Sequence, residues 1–218
     1  MSALPILIPV NVLSRAKGRL AELLTADERR MLALITLECV LHAAGERAIV
    51  LTRDPDVEAA ARGHARLLPE DPAATGLNAQ LEYAASLLLA EGTAKDRLLI
   101  LHADLPLVTA GAIETLEALS EPNSVVMVES RDGGTNAMLQ RPPGRFPLAY
   151  GPGSFAAHES AARAAGMTVL RNGNRELRLD LDTPEDIVEL LRAPRGRQGA
   201  AGAYLLSIGI EGRLGAHR

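Results

Sequence analysis

Three aspartates frame the chemistry open to this chain. Asp104 follows the apolar run "LLILH" and precedes Leu105-Pro106, so it stands where a buried strand ends. Asp180 and Asp182 lie two residues apart in "RLDLDTPEDI", where Leu177, Leu179 and Leu181 alternate with Arg178, Asp180 and Asp182. Such alternation reads as a strand whose i and i+2 side chains share a face. In open α/β sheets, ligands gather beyond the carboxyl ends of the strands. If the two segments are neighbours, three carboxylates converge on one crevice. Like charges 4 Å apart repel by about 4 kcal/mol at an effective dielectric of 20. The trio therefore needs protonation, separation or a cation, and hard oxygen ligands favour Mg²⁺. Structural uses compete with this reading. Asp182 would serve as cap of the helix opening at Pro184, Asp180 would pair with Arg178 or Arg175, and Asp186 and Glu185 are first-turn residues favoured by the helix dipole.

The loop after the first predicted strand, "NVLSRAKGRL", carries Arg15, Lys17 and Arg19 within five residues. Guanidinium and ammonium groups there suit a triphosphate. The bland alternative is a solvated helix start, to which Arg19 belongs first. No Gly-x-x-x-x-Gly-Lys is present, which argues against a P-loop. "RDGGTNAM" and "YGPGSFAAH" place Gly133-Gly134 and Gly151-Pro-Gly153 where backbone can approach a ligand closely. Thr135, Asn136 and Ser154 add neutral hydrogen-bonding groups. Ser154 also opens a predicted helix, whose free N–H groups favour an anion. His102, inside the buried run, reads as a satisfied core histidine. His158, one turn into the Ser154 helix, lines the same pocket or merely packs.

Strand-like runs alternate with helical patterns and so set these loops in an α/β frame: a Rossmann-like, mainly parallel open sheet with helices on both faces. The strands are "LPILIPV", "RAIVLT", a short one near Arg66 to Leu68, "RLLILHADLPL", "SVVMVES" and the Asp180–Asp182 segment. Thr25-x-x-Glu28 is a capping signature, Asp54-Pro55 an N-cap with proline at the first helical position, and Thr109 another cap. Further helices run from about Leu77 to Glu91 and from Ser154 to Ala165. Beyond Ala193, the Gly-, Ala- and Arg-rich segment reads as a flexible tail or an edge strand, so residues 1–192 are taken as the working domain and 193–218 as an appendage.

At 218 residues with 47% apolar content, one domain with a sizeable core is expected. Twenty-three Lys and Arg against 27 Asp and Glu give a net charge of −4, which argues against general nucleic-acid binding. Cys39 is the only cysteine, so neither an intramolecular disulfide nor a cysteine metal cluster forms. Pro5 and Pro9 interrupt the first apolar run, and no run approaches the roughly 20 residues of a membrane span. A cytoplasmic enzyme is the expectation, without membrane association.

Taken together, "IPVNVLSRAKGRLAELL", "LTRDPDVEAAA", "LPEDPAATGLNAQL", "LHADLPL", "RDGGTNAM", "YGPGSFAAHESAARAAG" and "LRLDLDTPEDI" closely resemble the guanylyltransferases of coenzyme F-420 biosynthesis. That family is often called 2-phospho-L-lactate guanylyltransferase, and its bacterial members are phosphoenolpyruvate guanylyltransferases. The resemblance covers about Leu4 to Leu191. It implies a nucleotidyltransferase fold of the molybdopterin-guanylyltransferase type, with Mg²⁺ held by Asp104, Asp180 and Asp182. Thr135, Gly151 and Ser154 would hold the phosphorylated carboxylate. The "RAK" segment and Gly76 to Asn78 would face GTP, Arg15 and Lys17 neutralising the departing pyrophosphate. Asn11 stands where the family's opening is expected to carry lysine. The acceptor favoured is phosphoenolpyruvate or 2-phospho-L-lactate, with 3-phospho-D-glycerate as an alternative. Competing readings are a sugar or pterin nucleotidyltransferase, a nucleotide-sugar glycosyltransferase and a nucleotide-binding sensor; a homodimer is compatible with all of them.

Overall fold

The computed structural model describes residues 4–216. In it, seven strands form one sheet in the order β3-β2-β1-β4-β6-β5-β7. These are β1 (Ile6–Pro9), β2 (Ala48–Thr52), β3 (Arg66–Pro69), β4 (Leu98–Leu101), β5 (Ser124–Glu129), β6 (Thr135–Arg141) and β7 (Thr168–Arg171). β1 pairs in parallel with β2 and β4, β2 with β3, and β5 with β7. β6 runs antiparallel between β4 and β5. The expected α/β architecture is present, with one reversed strand in its middle.

Continuous apolar strands are required because both faces are covered. Successive residues go to opposite layers: Ile6, Ile8, Leu99, Leu101, Val126 and Val128 pack on one side, and Leu7, Leu98, Ile100, Val125 and Met127 on the other. The first layer is closed by α1 (Ala26–Ala44), α2 (Pro55–Ala61) and α4 (Ala110–Leu119), the second by α3 (Gly76–Ala90) and α5 (Ser154–Ala164). Cys39 is half-buried against the first layer. The caps are those read from sequence. Thr25 and Glu28 close a reciprocal capping box on α1, Asp54 accepts from Asp56 and Val57 N–H, and Thr109 accepts from Ala112 N–H.

Three expectations fail. β6 and β7 were not foreseen: β6 begins in a glycine-rich turn and carries Thr135, Asn136 and Gln140, polar side chains that are buried here because each finds a partner. The Leu177–Asp182 segment is not a strand. Asn174 caps a single helical turn, α6 (Arg175–Arg178), by accepting from Glu176 N–H. The chain then runs extended outside the sheet, with Leu177, Leu179 and Leu181 still buried.

The segment beyond Ala193 is neither strand nor loose tail. After α7 (Pro184–Arg192) come α8 (Pro194–Gln198), α9 (Ala200–Ser207) and α10 (Ile210–Ala216). Ala201, Leu205 and Ile210 join Leu20, Leu24, Leu32, Leu181 and Leu190 in a third apolar cluster. None of the described helices is long and apolar enough to cross a membrane. Glycine permits this close stacking, since a Cβ on Gly202 would overlap the Gly196 carbonyl. Arg213 fastens α10 to Glu28 through two bonds of 2.8 Å.

Gly202→Ala should therefore lower stability by about 1–3 kcal/mol, the usual cost of overpacking, read from urea unfolding. A second expectation concerns pH. Hydrogen bonds from Arg213 hold the Glu28 carboxyl at about 2, well below its ordinary 4.5. A depressed carboxyl stabilises the fold above the unfolded value and loses that contribution as pH falls from about 4.5 towards 2. Glu28→Gln should flatten the fall in melting temperature across that window; an unchanged profile would separate the pair from acid stability.

Candidate active site

The acidic trio is assembled by three chain segments at one sheet edge. Because β6 is antiparallel, its first residues lie beside the carboxyl end of β4, and His102 N–H donates to Asn136 O at 3.0 Å. Asn136 then reaches the returning chain. Its Nδ2 donates to the Leu177 and Arg178 carbonyls at 3.1 Å and to Asp180 Oδ1 at 3.3 Å. Leu181 N–H donates to Asp104 O at 3.2 Å. Asp104, Asp180 and Asp182 consequently offer carboxylate oxygens all within 4.8 Å of one another.

The competing structural roles are taken by other residues. Thr183 caps α7, in a capping box with Asp186, which also pairs with Arg131 at 3.0 Å. Asp182 is thus free of capping duty, and Asp180 receives its hydrogen bond from Asn136 rather than from an arginine. Burial and then the charge of Asp104 push the Asp180 carboxyl up to about 7.

Lys17 sits among these carboxylates. Its Nζ lies 2.9 Å from Asp104 Oδ2 and 3.0 Å from Asp182 Oδ1, with the side chain 4% exposed. The backbone there is left-handed, φ 54°, which lets the basic loop turn its lysine inward. Burial alone would lower the lysine pKa, but the two carboxylates outweigh it and raise it. Likewise burial would raise Asp104, and the Lys17 ammonium holds it below its ordinary value. The expectation placed Lys17 on the departing pyrophosphate; here it bridges the acidic residues. Asp104 Oδ1 remains buried and without a hydrogen-bond partner among the described residues. With the other two carboxylates beside it, this oxygen fits a hard divalent cation.

The rest of the basic loop is less engaged. Arg15 has its backbone in a 3-10 turn, and its side chain lies outside the described residues. Arg19 is exposed, 3.6 Å from Asp132. Asp54 was read only as a helix cap, yet its Oδ2 accepts Leu13 N–H at 2.8 Å and so ties the basic loop to α2. A helix cap and a loop anchor look the same in sequence, so this second use left no signal.

A cleft of about 600 Å³ opens from the trio along the carboxyl edge, lined among others by Asn11, Lys17, Gly76, His102, Asp104 and Asp182. Asn11 Oδ1 accepts its neighbour Val12's N–H at 2.8 Å. Gly76, φ 84°, starts α3 at the rim. Asn78 is committed elsewhere: its amide donates to Tyr150 O at 3.0 Å and accepts Tyr150 N–H at 2.7 Å.

Thr135, Gly151 and Ser154 do come together. Ser154 Oγ lies 3.2 Å from Thr135 Oγ1, and Ser154 N–H donates to Gly151 O at 3.0 Å. Thr135 Oγ1 is also 3.0 Å from His158 Nδ1. Ala149 N–H donates to His158 Nε2 at 2.9 Å, which assigns the ring proton to Nδ1, facing Thr135. Burial holds this imidazole down at about 4, so at neutral pH it is uncharged and orients the threonine. His102 is not the satisfied core histidine expected, for its Nε2 is buried without a hydrogen-bond partner among the described residues.

Comparison with known proteins agrees with this geometry. A family model described as "Guanylyl transferase CofC like" matches residues 4–215, thus including the C-terminal helices. The chain is 40% identical to the phosphoenolpyruvate guanylyltransferase of Sphaerobacter thermophilus, over 87% of this chain and 93% of that one. It is 27% identical to the 2-phospho-L-lactate guanylyltransferase of Methanocaldococcus jannaschii, over 94% and 89%. Among solved structures, one described as a nucleotide-diphospho-sugar transferase of Desulfovibrio desulfuricans G20 superposes with a TM-score of 0.78 at 18% identity, covering 98% of this chain and 97% of the other. That likeness establishes the nucleotidyltransferase fold. The chain belongs to the CofC-like guanylyltransferase family.

Proposed function

We propose that this protein transfers GMP from GTP to the phosphate of a small phosphorylated carboxylate, with phosphoenolpyruvate favoured over 2-phospho-L-lactate, as a cytoplasmic step of coenzyme F-420 assembly. The observation that carries the reading is the convergence of Asp104, Asp180 and Asp182, two of which line the cleft, with Thr135 one residue along β6 from the Asn136 that bonds to Asp180. Two relatives, from Sphaerobacter thermophilus and Rubrobacter xylanophilus, both bear the phosphoenolpyruvate guanylyltransferase name at 40% identity.

In the reaction an acceptor phosphate oxygen forms a bond to the α-phosphorus of GTP. The bond from that phosphorus to the α–β bridging oxygen breaks, and pyrophosphate leaves with the electron pair. A phosphate dianion is already a nucleophile, so catalysis rests on alignment and charge neutralisation. Asp104, Asp180 and Asp182 would hold Mg²⁺, which when bound supplies positive charge to the phosphate oxygens. Lys17 keeps its proton in this acidic setting and adds a fixed positive charge beside the reacting phosphates. Thr135 and Ser154 would bind the acceptor with neutral hydroxyls, steadied by His158 from behind. Arg15, Gly76 and Asn78 stand on the nucleotide side of this reading, Asn78 through the loop it clamps.

Asp104→Asn should cut pyrophosphate release by more than about 100-fold, beyond the 10- to 100-fold typical of residues that only support a metal ligand, while circular dichroism stays unchanged. Near-normal turnover in that variant would end the mechanism. A competition among phosphoenolpyruvate, 2-phospho-L-lactate and 3-phospho-D-glycerate, with the guanylylated product identified by mass spectrometry, should return mainly the first. Predominance of 3-phospho-D-glycerate product would reassign the acceptor without disturbing the metal site.

A further inference from the structure

One buried carboxylate outside the acidic trio serves two chain segments at once. Asp54 follows β2 and is 5% exposed. Its Oδ1 accepts Asp56 N–H at 2.9 Å and Val57 N–H at 3.3 Å, the ordinary work of a cap on α2. Its Oδ2 accepts Leu13 N–H at 2.8 Å, across 41 positions of sequence. Its own N–H donates to Thr52 Oγ1 at 3.1 Å, which fixes the residue at the end of the strand.

The bond to Leu13 falls where the basic loop has little else to hold it. Leu13 opens the 3-10 turn Leu13–Arg15, and Val12 before it supplies no side-chain cap. The first N–H groups of a helical turn find no partner within it, so Asp54 caps this turn from a distance. Among the described residues, the other hydrogen bonds given by backbone N–H groups of residues 11–16 stay inside the loop, from Val12 to Asn11 Oδ1 and from Ala16 to Leu13 O. Lys17, just beyond, turns inward to Asp104 and Asp182. Asn11, Leu13, Ala16 and Lys17 all line the cleft. Asp54 thus holds the entry of the loop, and the lysine bridge holds its exit.

We infer that Asp54 is the positioning residue of the nucleotide loop: with one carboxylate it caps α2 and the Leu13 turn together, and so keeps the loop in the form that receives the triphosphate of GTP. The inference rests on the guanylyl-transfer reading above and adds to it a residue that does not itself line the cleft. A loop freed at its entry occupies its binding form only part of the time, and apparent affinity falls by that fraction. Charge alone predicts the opposite sign. A carboxylate near a triphosphate repels it, so removing the charge would tighten GTP binding. A loss of GTP affinity therefore reports the anchor and not the charge.

Asp54→Asn separates the two duties. Asparagine has one acceptor oxygen, which the two N–H groups of α2 claim, and its amide then sets an N–H against Leu13 N–H, donor to donor. Asp54→Ser likewise keeps a good cap with a single oxygen and leaves Leu13 N–H without its acceptor. In assays of pyrophosphate release both variants should raise the GTP KM about 10-fold, the scale of one hydrogen bond to a charged group, and leave the phosphoenolpyruvate KM and kcat within about twofold. A second readout needs no turnover. Arg15, Lys17 and Arg19 are trypsin sites, and cutting of a folded protein follows the local opening of the segment cut. Mass spectrometry should find both variants cut there about 10-fold faster than the wild type, in step with the freed loop. A GTP KM unchanged in both variants overturns the inference, whatever the cleavage rate. Equal rises in both KM values with a lower melting temperature overturn it too, since Asp54 would then be a helix cap and nothing more. Either result leaves guanylyl transfer standing. Failure of the wild-type protein to release pyrophosphate from GTP with any of the three acceptors removes the underlying reading and this inference with it.

Discussion

The Lys17 ammonium between Asp104 and Asp182 sets the terms for the whole site. Three carboxylates within 4.8 Å of one another are mutually repulsive, and partial removal from water sharpens the penalty. One buried lysine meets two of them at 2.9 and 3.0 Å, and the third has its pKa pushed up to about 7 by burial and by Asp104. The lysine does not exhaust the cluster, since Asp104 keeps a buried oxygen with no hydrogen-bond partner among the described residues. The site is therefore charged enough to attract a further cation and compensated enough to fold before one arrives.

Holding that arrangement requires the reversed strand. Had β6 run parallel to its neighbours, Thr135 and Asn136 would have emerged at the opposite edge of the sheet. Antiparallel pairing brings Asn136 beside His102, and from there one side-chain amide supplies the hydrogen bonds that a neighbouring strand would otherwise give to Leu177 and Arg178. The same reversal delivers Thr135 to the Ser154 helix. The residue that braces Asp180 and the residue that meets Ser154 are thus consecutive in a single strand, which ties the relative position of the two clusters to sheet register rather than to loop flexibility.

The C-terminal helices act on the same region from outside. The cluster they complete includes Leu179 and Leu181, the residues flanking Asp180, together with Leu20 and Leu24 from the segment after Lys17. Apolar packing there anchors two of the segments that meet at the cluster, the one carrying Lys17 and the one carrying Asp180 and Asp182. Composition rich in Gly, Ala and Arg reads as disorder when periodicity is weak. Small residues here serve close helix contact instead, and that distinction depends on what lies across the interface.

Much of the site was legible in the residues. Asp104, Asp180 and Asp182 were recognisable because carboxylates after apolar runs have few structural uses, and the capping box at Thr25 and the cap at Asp54 follow from local hydrogen-bond geometry alone. The alternation of buried leucines from Leu177 to Leu181 was also real, although the backbone around it is a helical turn and an extended strap. What stayed hidden were the pairings between distant positions: Lys17 with two aspartates 87 and 165 residues away, Asn78 with Tyr150, His158 with Thr135. Local chemistry is written in short-range residue patterns because caps, turns and apolar periodicity act over a few residues. Which polar group meets which is settled by strand order and direction, and those emerge only when the whole sheet closes on its two cores.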